Sequence, residues 1–159
     1  MFSFYTRGMS FIDMAYLKKS DLKNGTITYR RRKTGQQLTV KWEKCMEDII
    51  AKYGENTATR YLLPIITNPC SDERTQYRNA ICRINVALKE VAGLAGLNIP
   101  LTMHVARHCW ASVAKSKNIP LSVISEGMGH DSEETTRIYL ASLDTSVVDK
   151  ANSLILKDF

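Results

Sequence analysis

Five residues able to move protons, hold an anion or attack an electrophile lie close together near one end of this chain. They are His104, Arg107, His108, His130 and Tyr139, all inside "HVARHCWASVAKSKNIPLSVISEGMGHDSEETTRIYLAS", which also holds every histidine of the sequence. On a helix His104 and Arg107 share a face, and His108, four residues past His104, lies near it. Histidine exchanges protons near neutral pH. Arginine stays ionised and offers a planar fork of donors to an oxyanion. A tyrosine oxygen that gives up its proton is a nucleophile. Taken singly, each has an ordinary role: a helical tyrosine is usually a packing residue, and a helical histidine usually a hydrogen-bonded structural one. The grouping carries the reading.

Zinc is the first chemistry to weigh, because His104 and His108 have the i,i+4 spacing of a metal pair and His130 could be a third ligand. A hydrolytic zinc helix needs a glutamate after its first histidine as general base. Here that position is Val105, no acidic residue lies between Pro100 and Lys117, and Arg107 beside the cation would oppose it. No metal site is expected.

Phosphoryl transfer on DNA uses all the residues. Its transition state spreads negative charge over non-bridging oxygens, which suits Arg107 and neighbouring histidines. Attack by Tyr139 would hold the strand covalently and conserve the bond for rejoining. A free phenol has a pKa of about 10, so Tyr139 needs nearby positive charge or a base. The departing 5′ oxygen needs a proton, and Lys33 in "RRKTG" is placed to supply it if that segment is the tip of a hairpin lying on DNA.

The elements that must position these groups are legible in outline. "GTITYRRRKTGQQLTVKW" has β-branched residues over Thr26–Tyr29, a turn signal in "KTG" and alternation over Leu38–Trp42, which predicts a β-hairpin with Arg30, Arg31, Arg32 and Lys33 running up to its turn. "MSFIDMAYLKKSDL" has apolar residues at helical spacing, from Met9 to Leu17. "EKCMEDIIAKYG" predicts a short helix closed by Gly54, and Pro64–Asp72 a loop. A long helix is expected from an N-cap at Ser71 to about Gly93. Further helices are expected up to about Lys117, from Pro120 to Gly127 or Gly129, and after the "DSEE" cap. "TSVVDKANSLILKDF" reads as a final amphipathic helix with Val147, Val148, Leu154 and Ile155 on one stripe. The fold class is therefore α+β, mainly helical with a small antiparallel sheet.

Charge points to the partner. Residues 1–60 carry 12 Lys/Arg against 6 Asp/Glu, and residues 61–159 carry 10 of each, so the whole excess of +6 sits in the first part. A one-sided basic surface suits a polyanion, although such a face also serves solubility. No run of residues is long and apolar enough to span a bilayer, and the first residues lack the order of a signal peptide. Cys45, Cys70, Cys82 and Cys109 have no metal or redox spacing and read as reduced, mostly buried thiols.

"HVARH", then "GMGH", then Tyr139 nine residues after His130, resembles the tyrosine recombinase (phage integrase) family, whose pattern is His-x-x-Arg-His, Leu/Met-Gly-His and a tyrosine about nine residues on. "RRKTG" resembles its β-hairpin lysine, and "TRGMSFIDMAYLKKSDL" its opening catalytic segment, with Asp13 in the acidic position. The wording is most similar to integrases of mobile and conjugative elements of Bacteroides-type bacteria. The resemblance covers nearly the whole chain. It implies the recombinase catalytic-domain fold over residues 1–144, truncated at its N-terminal side, and a segment 145–159 packing in cis or on a neighbouring subunit. It implies Tyr139 as nucleophile, Lys33 as general acid, and Arg107, His104 and His130 on the scissile phosphate. His108 would brace the helix, and Arg30, Arg31 and Arg32 would contact DNA. Expected partners are double-stranded DNA and, for the longer protein, further copies of itself as a tetramer on paired sites. No cofactor and no membrane is expected, in a bacterial cytoplasm at the nucleoid.

One departure matters. The family's first catalytic arginine precedes the acidic position by three residues, and counting back from Asp13 gives Ser10. Arg7 lies three residues earlier, one turn away if the segment is helical, and would then reach the same phosphate. Two other functions remain open on the residues alone: a non-catalytic DNA-binding fragment, and a strand-relaxing enzyme of the type IB topoisomerase kind.

Overall fold

A computed structural model of the chain describes residues 1–53, 58–98 and 100–141. Alternation builds the sheet. Strands β2 (Thr26–Arg30) and β3 (Gln37–Lys41) pair antiparallel, with Ile27 opposite Val40 and Tyr29 opposite Leu38. Those four side chains are buried, while Thr28 and Thr39 face each other on the outer side, hydroxyls 3.3 Å apart. A two-residue strand β1 (Leu22–Lys23) adds to the other edge of β2, giving the order β1-β2-β3. Its turn is Asn24-Gly25, both at positive φ (50° and 71°), the geometry a two-residue hairpin needs.

The helical segments start and stop on identifiable residues. Helix α1 (Phe2–Tyr5) and helix α2 (Phe11–Ala15) are separated by a turn in which Arg7 and Gly8 take positive φ, so the helix expected over Met9–Leu17 is shorter. Ser10 caps α2 by accepting from the Asp13 amide. Helix α3 spans Lys44–Ile50 and α4 spans Glu73–Leu94. The cap of α4 is Asp72, not Ser71: its carboxylate accepts from the Thr75 amide at 2.7 Å. Then come α5 (Val105–Ser116), α6 (Leu121–Met128) and α7 (Glu133–Ala141), the last opened by Ser132, whose hydroxyl accepts from Thr135 N at 3.3 Å. Gly54 and the expected helix over 145–159 lie outside the described residues.

Two apolar clusters flank the site. In one, Phe2, Phe11, Met14 and Leu17 meet Ile27, Tyr29, Leu38 and Val40 of the sheet, with Met46 of α3 and Ala80 of α4. In the other, Ala111 and Ala114 of α5 pack on Ile124 and Met128 of α6 and Leu140 of α7. The protein is thus mainly helical with a small antiparallel sheet, as expected. The thiols depart from expectation: Cys70, in a surface turn, is exposed, as are Cys82 and Cys109 on the outer faces of α4 and α5, and Cys45 is half-buried. Among the described residues no helix is long and apolar enough to cross a membrane.

Candidate active site

Arg107 joins the two halves. It lies near the start of α5, is 4% exposed, and donates from Nη1 to the Gly8 carbonyl at 2.8 Å and from Nη2 to the Met128 carbonyl at 2.6 Å. Gly8 permits this approach: a Cβ there would sit 2.8 Å from Arg107 Cγ and 2.9 Å from its Cα. A glycine in the α1–α2 turn is therefore part of the site, a role hidden in the sequence because the contact spans 99 positions.

The α6–α7 turn carries His130. Gly129 closes α6 in the left-handed conformation at φ 65°, and a Cβ there would meet Leu38 Cδ1 at 2.9 Å. The hairpin thus packs directly on the turn. His130 Nδ1 lies 2.8 Å from the hydroxyl of fully buried Thr136, which fixes the imidazole plane. One turn beyond Thr136 on α7, the Tyr139 ring lies edge-on to His130, with centroids 5.7 Å apart. His108 stacks face to face on Tyr139, with centroids 4.0 Å apart and planes 1° apart. His104 caps α5 at the rim, 5.8 Å from the His108 ring. His104, Arg107, His108, His130 and Tyr139 are thus brought together. Among the described residues no three His, Cys, Asp or Glu side chains group as metal ligands would.

Burial and positive charge set the protonation states. Burial pushes the Tyr139 phenol up to about 12, against the pull of Arg107 and then Arg31. Burial, then Arg107, Arg31 and Lys33, push His130 down to about 4, so its imidazole is neutral at pH 7. His104 is lowered by burial, His108, Arg107 and Lys33, and His108 by burial and Arg107. Arg107 itself is lowered to about 10, by burial and then by Arg31. None of the ion pairs among the described residues involves Arg107 or Arg31. The cluster holds more positive charge than the fold neutralises, which is the electrostatics of an oxyanion site.

The hairpin residues diverge. Arg30 is exposed and donates to the Gly35 carbonyl at 3.1 Å. Arg31 turns inward, 7% exposed, and its Nη1 donates to the Gly129 carbonyl. Arg32 lays its guanidinium over Tyr16, 3.6 Å from the ring centroid, and its amide donates to Asp13 Oδ1 at 2.9 Å. Asp13 is buried and also accepts from Ser10 at 2.5 Å, so it ties α2 to the hairpin. Lys33 is exposed in the turn, and its charge acts on His104 and His130. Arg7 does not sit one helical turn from Ser10, because the backbone breaks there at φ 58°. Its Cδ lies against α6, 3.8 Å from where a Gly127 Cβ would be, and its charge acts on Tyr29.

The mainly helical fold with its small antiparallel sheet matches the structures of tyrosine recombinase catalytic domains. The profile of the phage integrase family matches residues 4–146, and the chain belongs to that family. Among solved structures it is similar to XerA recombinase, with a TM-score of 0.69 and 21% identity over 96% of this chain and 55% of that one. It is similar to XerH site-specific recombinase bound to a palindromic difH substrate in a post-cleavage complex, with a TM-score of 0.59 and 19% identity over 96% of this chain and 45% of that one. It is also similar to a dimer of lambda integrase (75–356) bound to a COC′ core site, with a TM-score of 0.57 and 18% identity over 87% and 49%. The chain spans about half the length of these proteins. A search of the curated proteins finds no match.

Proposed function

We propose that the chain is the catalytic domain of a site-specific DNA recombinase that cuts and rejoins strands through a 3′-phosphotyrosyl intermediate. The observation that carries this reading is the setting of Tyr139: its phenol lies between the His108 and His130 rings, in the field of Arg107. The Tyr139 oxygen attacks phosphorus, and its proton passes to neutral His130, which becomes a stronger base once a phosphate anion lies beside it. Arg107 and His104 stabilise the non-bridging oxygens. Lys33 gives its proton to the 5′ oxygen as the P–O bond breaks, leaving a 3′-phosphotyrosine and a 5′ hydroxyl. Attack by that hydroxyl, or by one from a partner strand, reverses the step. No metal or cofactor enters the balance.

Arg30 and Arg32 on the exposed hairpin surface fit contacts to the DNA backbone. Arg7, held against α6, fits a residue that supports this site from behind. Structural neighbours are recombinases bound to their DNA sites, one of them a dimer, which supports double-stranded DNA as partner and assembly of copies on paired sites. The setting is a bacterial cytoplasm, on DNA of a mobile element of the kind found in Bacteroides-type bacteria.

The test is incubation with a nicked suicide duplex from the DNA flanking the gene, followed by a denaturing gel. The wild type forms a covalent adduct and Tyr139→Phe forms none while binding the duplex equally well. An adduct that survives Tyr139→Phe places the nucleophile elsewhere. Binding without any adduct in the wild type supports a non-catalytic DNA-binding role.

A further inference from the structure

The slot of the first arginine in the opening segment holds Ser10, and its hydroxyl is committed to Asp13. Arg107 is then the one guanidinium assigned so far to a phosphate that offers two charged non-bridging oxygens in the transition state. Arg31 is the other buried arginine among the described residues. It continues the inward row of β2 after Ile27 and Tyr29, since alternate residues of a strand share a face. Its Nη1 donates to the carbonyl of Gly129, while Nη2 of Arg107 donates to that of Met128. Two guanidiniums are thus docked on successive carbonyls of one turn, directly before His130.

Two buried like charges repel, and the fold gives neither a carboxylate among the described residues. Asp13, a carboxylate whose charge acts on Arg107, is already taken up by the Ser10 hydroxyl and the Arg32 amide. The charge of Arg31 is felt at Tyr139, His130, His104 and Arg107 alike. Each fork keeps N–H donors beyond those used on backbone carbonyls, since a guanidinium has five.

We infer that Arg31 is a catalytic residue, the second clamp on the scissile phosphate, working beside Arg107 in the role that the sequence suggested for Arg7. The inference rests on the recombinase reading above. Arg31 would contribute to rate far more than to affinity, because the charge it meets grows as the transition state forms. It also welds the hairpin to the α6–α7 turn, so Lys33 and His130 are placed by the residue that holds the phosphate between them.

The experiment compares single-turnover cleavage of two suicide duplexes, one normal and one with a neutral methylphosphonate at the scissile position, which lacks one charged oxygen. Arg31→Ala should lose roughly 10²–10³-fold on the normal duplex, as expected for one oxyanion donor. On the methylphosphonate most of that loss should vanish, and DNA affinity should stay near wild type. Arg7→Ala, which removes a support behind the site and no contact to the phosphate, should lose the same amount on both duplexes. Equal losses on the two duplexes would reduce Arg31 to a structural strut on Gly129, and selective rescue of Arg7→Ala instead would move the clamp to Arg7. If Arg31→Ala does not melt cooperatively, Arg31→Lys is read in its place, since it keeps the stem and loses the fork. If the wild type cleaves neither duplex, the recombinase reading fails for this chain and the pocket is judged alone by thermal shift with tungstate, a tetrahedral dianion. Wild type should be stabilised and the Arg31 variant should not. No shift in the wild type overturns the two-arginine anion site.

Discussion

The His108 imidazole lies flat against the Tyr139 phenol, centroids 4.0 Å apart and planes 1° apart. His108 sits on α5 and Tyr139 on α7, so the stack fixes the orientation of the tyrosine ring from a different element. The family resemblance implied a helix brace for His108, and the structure stacks its ring on the candidate nucleophile. An aromatic pair contributes about 0.5–1.5 kcal/mol beyond area burial. His108→Ala should therefore slow adduct formation by about 2- to 10-fold at unchanged DNA affinity, and His108→Phe, which keeps a flat ring, should recover most of it. If both substitutions slow cleavage equally, His108 works through a proton and not through its plane.

Gly8 is the position where backbone and site are most tightly joined. Gly8→Ala forces a methyl group to within 2.8 Å of Arg107 Cγ at a φ of 75°. A left-handed alanine costs about 1–2 kcal/mol and an overpacked contact about 1–3 more. Gly35→Ala is the control, since it shares the positive φ at 72° but meets nothing within 4 Å. Urea midpoints should fall much further for Gly8→Ala than for Gly35→Ala, and cleavage should fall with them. Equal losses would mean that the approach of Arg107 to this turn carries no energy of its own.

How far the sequence exposed this site depended on the range of the contacts. Spacing within one segment grouped His104, Arg107, His108, His130 and Tyr139, and the structure brings them together, because helical period and a Gly-containing turn are local. In the "RRRK" run, strand alternation after Ile27 and Tyr29 assigns Arg31 to the buried face, apart from exposed Arg30, Arg32 and Lys33. Arg7 was tied to Ser10 through a helix that a positive φ interrupts. Asn24-Gly25 was a legible turn signal for β1. Gly8 on Arg107 and Gly129 under Leu38 could not be read, because they depend on which elements meet.

The histidines give the fold a defined acid sensitivity. His130 falls from 6.5 to about 4 in the folded chain, and His104 and His108 are lowered as well. A lowered folded value means that the unfolded chain binds protons first as pH falls. Stability should therefore be highest above about 6.5 and fall as pH drops toward 4, where folded His130 also becomes protonated. Denaturation midpoints at several pH values for wild type and His130→Asn test the sign. The variant should show a shallower decline across that window. A parallel decline would assign the acid sensitivity to other groups.

Lys33 gives the sharpest test of the chemistry. It is exposed at the hairpin turn, between Arg32, which is held on Tyr16, and a loop closed by the Gly35 amide on the Arg31 carbonyl at 2.7 Å. The fold thus holds the base of its side chain while leaving the ammonium exposed. If it protonates the departing 5′ oxygen, Lys33→Ala should slow cleavage of normal DNA by roughly 10²–10⁴-fold, the usual contribution of a general acid. A 5′-bridging phosphorothiolate changes the leaving group to a thiolate, whose conjugate acid has a pKa of about 8.5, so it departs without a proton. Lys33→Ala should then approach the wild-type rate on that substrate. Arg107→Ala should not, because its charge acts on non-bridging oxygens that the sulfur leaves unaltered. A lysine that merely holds DNA beside Arg30 predicts the same defect on both substrates. Single-turnover rates for wild type, Lys33→Ala and Arg107→Ala on the two duplexes separate the cases, and a Lys33→Ala defect that persists on the phosphorothiolate assigns the proton to another group.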